Sequence, residues 1–183
     1  MRCRCDVPLR YGLRCVGGAL FVLMLGMGLT MSISAKPLND VACEMKVAST
    51  VARDSAALVS LHLVNQSKHD VRILRRNTPL EPFFANYLVV DQIIGAKAKP
   101  IAYRGPVAKR PIPSEEEYVL LAAGADISRQ FNLNPAYDVS APGQYRISWP
   151  GEIMDAAVAD TPVSPSNPVA HHVNCRAVIF IRQ

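Results

Sequence analysis

Residues 57–64 read Ala-Leu-Val-Ser-Leu-His-Leu-Val, with Leu61 and Leu63 on one parity and Ser60 and His62 on the other. A period of two places successive side chains on opposite faces of an extended chain, so this segment buries its leucines together only as a β-strand. Comparable stretches recur at residues 42–49, 71–74, 86–91, 99–103, 117–121, 127–133, 143–149 and 174–181, while almost nothing follows helical spacing. The 14 prolines keep these segments short, because each removes a ladder donor and biases its predecessor away from helix. Nine short strands predict an all-β fold, an immunoglobulin-like antiparallel β-sandwich. Residues 155–170 hold Thr161-Pro162, Ser164-Pro165 and Asn167-Pro168 and read as a long exposed loop before the last strand.

The first 35 residues differ in kind. Arg2, Arg4, Arg10 and Arg14 precede an apolar run, residues 19–29, which gives way to the small residues Ser32-Ile-Ser-Ala35. That succession is the pattern of a secretory signal peptide. The alternative is an uncleaved anchor, since residues 16–35 carry no charge and would just span a bilayer. Residues 36–183 are then a single domain, exported to the periplasm or secreted.

Export fixes how the cysteines are read. Cys3, Cys5 and Cys15 lie in the leader, and the remaining pair, Cys43 and Cys175, is predicted to form a disulfide in an oxidising compartment. A Cys/His metal site with His171 and His172 has the wrong ligand count and spacing, and adjacent histidines on a strand face opposite ways. No metal or other cofactor is expected.

The net charge of +5 does not survive subdivision: the leader holds four Arg against Asp6, leaving 16 basic and 14 acidic groups in the body. Without a dense basic stripe there is no footprint for a nucleic-acid backbone. A zinc hydrolase would need paired histidines on a helical face, and a serine hydrolase a nucleophile turn with a histidine base; the sequence has neither pattern. His62, His69 and the 171–172 pair read as solvated positions, and Glu115-Glu116-Glu117 as a solvated charge run. No catalytic residue is assigned, and a non-catalytic protein is expected. Asn65-Gln66-Ser67 matches a glycosylation acceptor, a short pattern common by chance.

Tyr137-Asp-Val-Ser-Ala-Pro-Gly143-Gln-Tyr145 sets a glycine two residues before a tyrosine at a strand start, the pattern of a tyrosine corner. Tyr145 would then bond backbone a few residues upstream, with Gly143 and Trp149 as structural neighbours on the same strand.

Across the middle of the chain run Asn77-Thr-Pro-Leu-Glu81, Asn86-Tyr-Leu-Val-Val-Asp91, Tyr103-Arg-Gly105, Lys109-Arg-Pro111, Glu117-Tyr118, Ala123-Gly124, Phe131-Asn-Leu133, Tyr137-Asp138 and Gly143-Gln-Tyr145. In their order and spacing, over residues 58–149, these resemble the N-terminal pro-domain of bacterial deuterolysin-type (aspzincin) zinc metalloendopeptidases. The catalytic His-Glu-x-x-His of that family is missing from this sequence, so the resemblance is to the pro-domain alone. It implies a module that inhibits, or assists the folding of, a zinc endopeptidase. Tyr103, Arg104, Gly105, Lys109 and Arg110 fall on the family's Tyr-x-Gly and Lys-Arg positions and are the candidate partner-binding residues. Pro106, Pro111 and Pro113 stiffen that loop and lower the entropy lost on docking. The other expectation is a structural or adhesive β-sandwich of the cell envelope. Neither reading needs nucleic acid, or a membrane unless the leader is retained.

Overall fold

The computed structural model describes residues 36–158 and 160–183. The signal-peptide reading of residues 1–35 lies outside them. The strands in chain order are β1 (Lys36–Pro37), β2 (Val41–Val47), β3 (Thr50–Val51), β4 (Leu58–Asn65), β5 (Val71–Leu74), β6 (Val89–Ile94) and β7 (Lys97–Pro100). They are followed by β8 (Tyr118–Leu121), β9 (Asp126–Asn132), β10 (Gly143–Ser148), β11 (Glu152–Ile153), β12 (Ala156–Val158), β13 (His171–His172) and β14 (Val178–Arg182). One 3-10 turn, Glu115–Glu117, interrupts them.

Two main sheets face each other. One has the order β2-β4-β9 and the other β3-β14-β10-β6-β7, with small sheets β12-β5-β8 and β1-β13-β11 alongside. Alternation decides which side chains meet between them. Val59, Leu61 and Leu63 of β4 are fully buried, as are Tyr145 and Ile147 of β10 and Phe180 of β14, and all belong to one core. Removing this apolar surface from water is what holds the sheets together. The fold is therefore the predicted all-β, immunoglobulin-like sandwich.

The tyrosine corner is formed. Tyr145 is 1 % exposed, and its hydroxyl donates to the Ala141 carbonyl, four residues upstream, at 2.9 Å. Gly143 opens the strand at φ 143°, a conformation closed to residues with a Cβ, and Trp149 is buried at the strand's far end. Tyr145→Phe should cost about 1 kcal/mol in a urea titration, because the Ala141 carbonyl loses its donor while the ring still stacks on Phe180. An unchanged midpoint would mean that the hydroxyl contributes nothing to the crossover.

Cys43 and Cys175 are disulfide-bonded across 132 residues. The bond joins β2 to the segment entering β14, where the two cysteines also form a parallel bridge.

Several expectations are corrected. The fourth strand begins later than read, at Val89, with the Leu88 carbonyl taken by the Tyr137 hydroxyl, and the fifth begins earlier, at Lys97, because Gly95 (φ 61°) makes a two-residue hairpin turn that pairs Ile94 with Lys97. The 155–170 loop is not wholly exposed. Ala156–Val158 pairs with β5, and the buried Asp155 carboxylate accepts the Tyr118 hydroxyl and the Val169 amide, which draws the segment inward. His171 is buried rather than solvated, while His172 beside it is exposed. Asn65 is also buried, and its amide nitrogen donates to the carbonyls of His69 and Leu121, so the glycosylation motif is spent on the turn between β4 and β5.

Candidate functional site

The loop from Tyr103 to Pro113 follows the edge strand β7 of the larger sheet and is bonded to the 77–86 segment through Ala108–Phe84 and Arg110–Glu81. Its start is fixed by aromatic packing. Tyr103 sits 5.5 Å from Tyr137 and 6.3 Å from Phe83, centroid to centroid, and also pairs with Tyr137 through a backbone bridge. Its hydroxyl donates to the Pro106 carbonyl at 2.8 Å, which folds the loop back over Gly105. A Cβ on Gly105 would lie 2.5 Å from that hydroxyl oxygen, so the Tyr-x-Gly spacing is explained by close packing of the ring. Burial pushes the Tyr103 phenol above its ordinary pKa, as it does more strongly for Tyr137, which donates to Asn86 and to the Leu88 carbonyl.

The charged residues divide. Arg104 pairs with Asp138 at 3.0 Å on the surface, where the pair is worth little. Arg110 is turned inward: it makes a bidentate contact with Glu81 at 2.7 and 3.2 Å and lies 5.0 Å over the Phe84 ring. Glu81 is 4 % exposed and also accepts the Asn77 amide, so Arg110 neutralises a carboxylate that the fold has already removed from water. Beyond it, Arg76 donates to Glu117 and, at 2.6 Å, to the Pro111 carbonyl. The Arg76 guanidinium, with the Ser114 amide, pulls the Glu117 carboxyl down to about 2. Glu117 is therefore a structural member of an ion pair, while Glu115 and Glu116 are exposed as read.

Of the five candidate residues, Lys109 alone is exposed with no ion-pair partner among the described residues. Tyr103, Arg104, Gly105 and Arg110 are engaged within the loop or with its neighbours. Val107 and Ile112, which the sequence reading passed over, are 76 % and 69 % exposed. The loop thus exposes Val107, Lys109 and Ile112 on a backbone stapled by the Ala108 amide to the Phe84 carbonyl at 3.0 Å. The two apolar side chains stand in the same Pro-containing segment as the Lys-Arg pair, and that signal was available. Among the described residues no three His, Cys, Asp or Glu side chains converge to hold a metal, and no helix is long and apolar enough to cross a membrane.

Glu117 and His171 shape the acid response, beside the exposed Asp138, whose carboxyl is held below its ordinary range by its hydrogen bonds from Ser140 and by Arg104. Glu117 stabilises the fold fully above its ordinary value of 4.5, and this contribution is lost as pH falls through about 2. Burial favours the neutral form of His171 and lowers its pKa from 6.5, with Asp155 opposing the shift and Lys36 assisting it. Its penalty is absent above 6.5 and grows as pH falls below that value. Urea midpoints should therefore fall in two steps on acidification. His171→Asn should remove the upper step and Glu117→Gln should shrink the lower; a single step unaffected by either would refute the assignment.

No family model matches the chain. It is 28 % identical over 124 residues to an extracellular protease of Aeromonas hydrophila, an alignment covering 66 % of this chain and 34 % of that protein. The chain thus spans about a third of the relative's length. Among solved structures it is similar to the CARDB domain of the PF1109 protein of Pyrococcus furiosus (15 % identity, 78 % of this chain and 92 % of that one, TM-score 0.31). A Listeria innocua β-glucosidase in complex with glucose gives 11 % identity over 79 % of this chain and 16 % of that one, with a TM-score of 0.35. Neither superposes closely enough to carry an argument. This protein is a β domain with sequence in common with part of a secreted protease, and its disulfide is consistent with export.

Proposed function

We propose that this chain is a non-catalytic exported module, periplasmic or secreted, related to the pro-domain of deuterolysin-type zinc metalloendopeptidases. In this reading it binds such an enzyme in trans, inhibiting it or assisting its folding. The observation that carries the proposal is the sequence shared with part of an extracellular protease, on a chain with no catalytic constellation in its sequence. The Tyr103 to Pro113 loop supplies a surface suited to the task. Val107, Lys109 and Ile112 are displayed on a backbone whose prolines and internal bonds have already removed much of the entropy that docking would otherwise cost.

The experiment is capture of exported proteins from the source organism on the immobilised, disulfide-bonded protein, followed by an inhibition assay with any zinc endopeptidase retained. Val107→Asp, Lys109→Glu and Ile112→Asp together should abolish capture without lowering the melting temperature, because none of these side chains has an internal partner. Arg110 is left intact in this test, since removing it would strand the buried Glu81 carboxylate. Retention of no zinc endopeptidase, or retention indifferent to the triple substitution, would overturn the proposal.

A further inference from the structure

Behind the loop lies a groove of about 360 Å³ lined by Arg75, Arg110, Arg129, Glu81, Glu117 and Phe84. Its two carboxylates are already committed, Glu81 to Arg110 and Glu117 to Arg76. Arg75 and Arg129 have no ion-pair partner among the described residues. Counting Arg76, the partner of Glu117, four guanidiniums stand around the two carboxylates, an excess of two positive charges. Such a concentration in a partly enclosed site attracts an anion.

The position of Arg129 bears on what kind of anion the groove suits. In β9 it stands opposite Leu61, a fully buried residue, and so has the core-facing parity of Ile127 and Phe131. A charged side chain at that parity reaches solvent only by leaning over the open edge of the sheet. β9 pairs with β4 alone among the described residues, so its other edge leaves main-chain donors and acceptors open. Beside this edge the groove adds an apolar wall, with Phe84 40 % exposed and Leu80 and Pro82 next to it.

We infer that this groove binds an extended acidic peptide segment of a protein partner. A Glu or Asp carboxylate sits between Arg75 and Arg129, a neighbouring apolar side chain rests on Phe84, and the peptide backbone runs along the open edge of β9. Guanidinium pairs hold a carboxylate with directed hydrogen bonds, and strand addition supplies main-chain bonds to the same ligand. A free phosphate would use the arginines and neither the wall nor the edge. The inference stands on the groove and is independent of the protease reading.

The test is fluorescence anisotropy of a labelled peptide alternating Glu with Val, against its Gln-Val counterpart, at low salt with the disulfide-bonded protein. The Glu peptide should bind at least about tenfold more tightly, and Arg75→Ala with Arg129→Ala should remove at least about tenfold of that affinity at unchanged melting temperature. Lys97→Ala with Lys99→Ala, on the exposed edge strand of the other sheet, should leave affinity unchanged. In the unsubstituted protein, backbone amide shifts should move along β9 as peptide is added, a readout that does not depend on how the variants fold. Equal binding of the Gln peptide, full affinity in the double arginine variant, an equal loss in the lysine variant, or displacement by equimolar inorganic phosphate would each overturn the inference.

Discussion

Replacing Cys43 and Cys175 with alanine should lower the stability of the protein by about 4–5 kcal/mol, the loop-entropy expectation for a closure of this length. The bond spans 132 residues, nearly the whole described chain, so its loss frees the unfolded ensemble more than removal of a short staple would. The native state contributes as well. Cys43 lies in β2, at the edge of one sheet, and Cys175 in the approach to β14 of the other, so the bond joins the two layers at a point where the chain has no long strand pairing of its own. Guanidinium titrations of oxidised protein and the double alanine variant measure the difference. A loss below about 1 kcal/mol would mean that the layers are held by their core alone and that the unfolded chain is already compact. Because most small domains have only about 5–15 kcal/mol to lose, the reduced protein should be open to proteolysis. Such a dependence would be consistent with export, as the disulfide itself is.

The disulfide was readable from an even pair of cysteines, Cys43 and Cys175, lying beyond a stretch with the sequence pattern of a secretory signal. The main strands were readable for a similar reason, since Leu61 and Leu63 against Ser60 and His62 state both a period and a face. The tyrosine corner rests on a glycine and a tyrosine two residues apart, a local motif whose hydrogen bond closes within four residues. Long-range polar pairing left no such trace. Arg110 reads as one half of a cationic pair on a loop, and only the fold shows the buried Glu81 beneath it, 29 residues earlier. Asp155 likewise looks like the start of a polar loop until the Tyr118 hydroxyl is seen to meet it. The cationic groove is still less legible, because Arg75, Arg110 and Arg129 arrive from three separate segments and no spacing relates them. Arg129 alone carried a clue, as a charge at the apolar parity of the strand bearing Ile127 and Phe131.

These polar pairings also bear on which residues are free to act on a partner. A charge reversal at Arg110 would test the integrity of the fold as much as recognition, whereas Lys109 and the apolar Val107 and Ile112 report on contact. The loop and the groove border each other through Arg110, so one partner could span both, with an apolar contact on the outer loop and an acidic strand beside β9. Their variants share no residue, which keeps the two surfaces separable by experiment.

Arg182→Met should destabilise the protein by about 3–5 kcal/mol, the loss expected when a buried, fully hydrogen-bonded charge site is left with unpaired acceptors. Arg182 is 1 % exposed, at the inner parity of β14, with its guanidinium 5.7 Å above the Phe180 ring. No carboxylate among the described residues pairs with it. Instead it donates to the carbonyls of Val139 at 2.9 Å, Ala52 at 2.6 Å and Ser55 at 2.8 Å. Those acceptors belong to the turn after β3 and to the segment before the tyrosine corner, so one side chain fastens two irregular connections to the last strand. Methionine would fill part of the volume and stack on Phe180, yet three inward-facing carbonyls would lose their donor. Arg182→Lys should fall between the two, because an ammonium places its donors at one point and cannot reach acceptors on both sides of a planar fork. Chemical denaturation of the three proteins, with hydrogen exchange at residues 52–55 and 139–141, would locate the loss. Arg182→Met within about 1 kcal/mol of the parent, or exchange unchanged at both connections, would show that water replaces the guanidinium without cost.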